Sequence, residues 1–138
     1  MIGTQEQPNF AVRIGLPTFD EQCEKLVRII QLLDLSPLHT IASGVFVSRF
    51  LLLLDAIEEF FRHEEELLNY YAIPTKIRCL HIADHKRIRE ILNDIHMNSV
   101  GKKNQTAIDV YKAIRFEINQ HVLNFSFDVG HYIPARMH

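Results

Sequence analysis

Cysteine is scarce in this 138-residue chain, which has only Cys23 and Cys79. Two cysteines do not make a framework of cross-links, so the fold must rest on a hydrophobic core, with both thiols expected reduced in a cytoplasm. An excess of one charge is also missing. Fifteen Lys and Arg against 17 Asp and Glu leave a formal net charge of −2, and there is no long basic run. That balance argues against nucleic acid or an anionic membrane as the main partner. The most apolar run, Phe50 to Leu54, falls far short of the roughly 20 residues that span a bilayer. Met1 to Pro8 is polar, with neither the basic nor the apolar region of a secretory signal. A soluble, cytoplasmic protein is expected.

The chain is 47% hydrophobic, enough for one core, and it reads as a single domain over residues 1–138. Residues 1–17 form an N-terminal arm punctuated by Pro8, Gly15 and Pro17. Four amphipathic helices follow over residues 18–128. The first opens near Thr18 or Asp20, where Thr18 and Glu21 are spaced as a capping box, and runs to about Leu35 before Ser36 and Pro37. The second runs from about Leu38 to Tyr71, with Gly44 as a weak point inside it. Pro74 introduces the third, about Thr75 to Met97. The fourth begins near Thr106 and continues at least to Phe125, its end blurred by Gly130 and Pro134. No strand-period segment competes. Short connections between long helices predict an all-α, antiparallel up-down-up-down four-helix bundle.

Each helix carries a metal-ligand residue type where its period requires an apolar one. Glu64 falls on the line Phe46, Phe50, Leu53, Ile57, Phe60, Leu67. His121 lies on the line Tyr111, Ile114, Ile118, Phe125. His81 and His85 stand between Ile77, Ile88 and Leu92, one turn and about 6 Å apart, so both rings can converge on one ion. Cys23 lies between Phe19, Leu26 and Ile30. Unpaired burial of imidazole or carboxylate costs several kcal/mol, and a metal is one partner that satisfies several such groups together. Glu65 borders the inward face, whereas Glu66 reads as solvated. Asp128 continues the last stripe but lies about 10 Å along the helix from His121, so it reaches the same ion only if the helix is distorted between them. Cys23 reads as a buried small residue or a soft ligand, and Cys79 as packing.

The segment Gly15-Leu16-Pro17-Thr18-Phe19-Asp20-Glu21-Gln22-Cys23-Glu24-Lys25-Leu26 resembles the hemerythrin signature G-I-x-x-I-D-x-Q-H-x-x-L. Phe60-Phe61-Arg62-His63-Glu64-Glu65-Glu66-Leu67-Leu68 resembles that family's H-F-x-x-E-E-x-L-M. His81 to His85 is similar to its H-x-x-x-H, and His121-Val122 to the H-I of its last helix. The resemblance covers about residues 11 to 132. It implies that His81, His85 and His121 hold one iron and that Glu64 corresponds to the bridging glutamate. It also marks departures. Cys23 and Phe60 stand where the family has the histidines of its other iron, and Ser126 stands at the bridging aspartate, leaving only a shifted Asp128 to replace it. In an alternative register His63 becomes the second-helix histidine.

These features lead to a hemerythrin-like protein whose altered centre takes one or two non-haem iron ions and binds or senses O2, NO or redox state. Beyond the ligand set there is no acid–base constellation, so turnover of an organic substrate is not expected. One alternative is a haem held in an apolar slot lined by Phe60 and Phe61, with axial histidines from facing helices. Another is a cofactor-free interaction module.

Overall fold

The computed structural model of the protein describes residues 14–35, 40–99 and 106–132, without the side chains of residues 98, 99, 127 and 128. Regular structure among these residues is helical: α1 Pro17–Gln31, α2 Gly44–Tyr70, α3 Thr75–Ser99, α4 Ala107–His121, a π-helical turn Val122–Ser126, and the short α5 Phe127–His131. One isolated bridge, Thr40 to Thr106, ties the segment before α2 to the segment before α4.

Local chemistry sets the helix ends, and several differ from expectation. Pro17 opens α1 at a position where its missing N–H is no loss. Leu16 is the N-cap and no side chain caps the helix, so the Thr18–Glu21 box does not form. Asp20 takes over the anchoring. Its carboxylate is 3% exposed and accepts the backbone N–H groups of Ile14 at 2.9 Å and Gly15 at 3.3 Å. Those bonds satisfy a carboxylate that would otherwise be costly to bury. The end of α1 comes at Gln31 rather than Leu35, because Leu32, Leu33 and Asp34 tighten onto the carbonyls three residues back.

The start of α2 is also later than expected, at Gly44 rather than near Leu38. Ser43 caps it, its Oγ accepting the Phe46 N–H at 3.1 Å. Gly44 therefore opens the helix and is not a flaw in its interior. Thr106 caps α4 as expected, accepting the Asp109 N–H at 3.2 Å. Beyond His121 the chain stays helical to His131, past Gly130, by way of the π-helical turn.

The core forms where the helical stripes meet. Phe19, Cys23, Leu26 and Ile30 come from α1 and Phe50, Leu53, Ile57, Phe60 and Phe61 from α2. Ile88 and Leu92 of α3 and Val110, Ile114 and Ile118 of α4 complete it. Each such side chain contributes about 1.5–3 kcal/mol by leaving water. Contacts run α1 to α2, α2 to α3, α3 to α4 and α4 back to α1, so the four long helices close into a ring around that core. No helix among the described residues is long and apolar enough to cross a membrane.

Candidate metal centre

Glu64, His81, His85 and His121 are buried polar residues within this apolar interior, none more than 1% exposed. The same 3.6-residue period that buries Phe60 and Leu67 buries Glu64 between them. It also turns His81 and His85 inward on α3, and His121 on α4. The Nε2 atoms of the three rings converge on one oxygen: Glu64 Oε1 lies 3.1 Å from His81, 2.9 Å from His85 and 2.9 Å from His121. One ligand atom from each of the four residues lies within 4.8 Å of all the others, so the group could hold a metal ion.

Outer carboxylates fix two of the rings. His85 Nδ1 donates to Glu65 Oε2 at 2.7 Å, and His121 Nδ1 donates to Asp84 Oδ2 at 2.8 Å. Guanidinium groups back both carboxylates. Arg87 bonds Asp84 and Glu117, each at 2.8 Å, while Arg89 bonds Glu58 at 2.8 Å and lies 3.8 Å from Glu65. Phe61 stacks on His85 with centroids 3.9 Å apart, and Phe125 lies beside His81 and His121. His81 differs from the other two, because its buried Nδ1 has no hydrogen-bond partner among the described residues.

This arrangement has a definite chemical meaning. A carboxylate only accepts, so Glu65 and Asp84 place the protons of neutral His85 and His121 on Nδ1 and leave the Nε2 lone pairs facing inward. Those lone pairs face a second acceptor, Glu64 Oε1, at hydrogen-bond distance. A cation among the four groups satisfies all of them, and the carboxylate–histidine pairs match the outer partners that orient histidine ligands at metal sites.

Without a cation the same groups must share protons. Burial penalises the charge on His121, but the Glu64 charge and the Asp84 bond outweigh it and raise its pKa to about 9. Burial alone would raise the Glu64 carboxyl. The His121 charge and the bonds from His121, His81 and His85 instead hold it well below the ordinary range. For His81, burial wins over the attraction of Glu64 and the pKa is lowered.

The remaining candidate ligands are not among these four. Cys23 is buried on α1 and is not one of the four. His63 is half-buried, with Nδ1 2.7 Å from Gln22 Oε1 toward α1, and does not join them either. Glu65 reaches the group only through His85. Phe60 packs on Phe19, centroids 5.3 Å apart, and on Phe61 at 6.3 Å. The Asp128 side chain lies outside the described residues, and Cys79 is exposed, not packed.

Asp84 and Ser126 also reach the site; the sequence passed over Asp84 and marked Ser126 only as standing where the resemblance has its bridging aspartate. Asp84 sits inside the His81–His85 interval, and its three-residue spacing from His81 was the available signal. Ser126 is fully buried and its hydroxyl donates to Glu64 Oε2.

No protein family, curated protein or solved structure matches the chain.

Proposed function

We propose that the protein is a hemerythrin-like antiparallel up-down-up-down bundle whose non-haem iron centre, at His81, His85, His121 and Glu64, binds or senses O2, NO or redox state. The observation that carries this reading is the convergence of three imidazole Nε2 atoms on one carboxylate oxygen, with Nδ1 of two rings already committed to Glu65 and Asp84. Imidazole and carboxylate donors without thiolate suit ferrous iron with an open position. Iron there would supply a redox-active position for a small ligand.

The chain's own residues favour a diatomic ligand over an organic substrate. All four donors are buried, and Phe61 and Phe125 pack against the imidazoles. A small neutral molecule crosses such a wall through side-chain fluctuations, whereas a charged or bulky substrate would lose its hydration without replacement. The short Tyr71–Pro74 link between α2 and α3 supports antiparallel neighbours. A haem fits the geometry less well. The three imidazole centroids lie only 4.7–4.9 Å apart, which leaves no gap between the rings for a macrocycle.

The test is anaerobic loading with ferrous iron, followed by metal analysis and visible spectra before and after NO. Retained iron with an NO-dependent absorption, both lost in His121→Ala, supports the reading. A Soret band would assign haem. A stable chain that retains no iron would leave a cofactor-free interaction module.

A further inference from the structure

The π-helical turn and the serine that ends it have a bearing on how many ions the centre takes. In an α-helix, five residues advance about 500°, which would place Ser126 about 140° around the axis from His121. In a π-helical turn, bonded i to i+5, the fifth residue returns close to the starting face. The turn Val122–Ser126 begins directly after His121, so it brings the Ser126 hydroxyl onto the same carboxylate that His121 faces.

The two oxygens of Glu64 therefore have separate tasks. Oε1 faces the three imidazoles, and Oε2 accepts the Ser126 hydroxyl. The hydroxyl occupies one lone pair of Oε2 and draws on its charge, so Oε2 is a weaker donor to a cation than Oε1. On α2 the aromatic pair Phe60 and Phe61 precedes Glu64, and Phe60 packs on Phe19 of α1.

We propose that Ser126 is the positioning residue that holds Glu64 as a one-oxygen ligand, and that an uncharged serine at this position leaves a second ion without an anionic donor, so that the centre takes a single ion. By holding Oε2 it keeps Glu64 a one-oxygen ligand and prevents the carboxylate from bridging to a second metal. This rests on the metal-centre reading above and adds the stoichiometry and the residue that sets it.

The experiment is a Co(II) titration of the full chain, with ion count and visible d–d bands as readouts. Wild type is expected to take one equivalent. Ser126→Ala should also take one, with shifted bands because Glu64 is then free to use both oxygens, and Ser126→Thr should restore the wild-type spectrum. Ser126→Asp, which adds an anionic oxygen beside Oε2, should take two equivalents. Two equivalents in wild type would overturn the inference while leaving the metal centre standing. So would Ser126→Ala bands identical to wild type, or a folded Ser126→Asp that stops at one. No Co(II) bound by wild type would overturn both readings.

Discussion

Asp84 on α3 accepts the Nδ1–H of His121 on α4 at 2.8 Å, so a carboxylate outside the four-residue group decides which nitrogen of His121 faces the core. Asp84 is also held by Arg87, and its carboxyl is kept below the ordinary range by the His121 and Arg87 bonds despite burial. Removing that acceptor frees the ring to rotate and to change tautomer. Asp84→Ala is expected to weaken Co(II) or Fe(II) binding by about 10–100-fold in a competition titration. Glu65→Ala should act similarly through His85. Arg87→Ala should cost much less, because its side chain is 46% exposed and surface ion pairs are worth about 0–1 kcal/mol. Unchanged affinity in Asp84→Ala would show that packing alone holds His121.

The Nδ1 of His81 is buried without a partner among the described residues, and burial drives its ring toward the neutral form. His81→Leu removes that unsatisfied group together with one partner of Glu64, at 3.1 Å, so in urea it should cost the chelator-treated protein less stability than His121→Leu while abolishing metal binding. His121→Leu should cost more, since Asp84 and Glu64 both lose a partner. Equal losses in the two variants would mean that the unpaired Nδ1 of His81 carries no penalty.

Cys23 and Phe60 test whether the α1 side of the core is packing. Phe60 is 1% exposed against Phe19 and Phe61. Phe60→Ala should cost about 3–5 kcal/mol of stability and leave the metal stoichiometry unchanged. Cys23→Ser should likewise retain the metal. Loss of metal in Cys23→Ser would make the thiol a ligand and overturn the four-residue assignment.

The four central residues were legible in the sequence because each interrupts an apolar stripe of strict helical period. Glu64 between Phe60 and Leu67, and His121 after Ile114 and Ile118, can be found by counting. Asp84 and Ser126 were not legible in that way. Asp84 lies on the flank of α3, where a half-buried carboxylate resembles any surface residue until α4 is placed beside it. Ser126 reaches Glu64 only through an i to i+5 turn, and counting by 3.6 sends it to another face. The start of α2 was misplaced because apolar Leu38 and Ile41 continue the helical pattern ahead of the true cap. Ile41 is buried outside the helix, and Thr40 pairs with Thr106 instead.

The pH dependence of the chelator-treated protein follows from His121. Its charged form is stabilised by Glu64 on α2 and Asp84 on α3, with His81 and His85 packed beside it. The folded pKa of about 9 lies above the ordinary 6.5. The resulting stability is fully present below pH 6.5 and is lost as pH rises through 9, by roughly 3 kcal/mol in all. His81 shifts the other way, and its effect lies below pH 6.5, so the alkaline decline belongs to His121. Glu64, whose pKa is depressed, contributes above 4.5 and loses its contribution only in acid. Thermal unfolding at pH 6.5 and 9 should therefore show a fall in Tm for the metal-free protein and none for its His121→Leu variant. Loading with metal should remove the fall, because a neutral His121 is then the bound form and the cation takes the place of the proton beside Glu64. A metal-loaded protein that still loses stability between pH 6.5 and 9 would mean that His121 keeps its proton and is not a ligand.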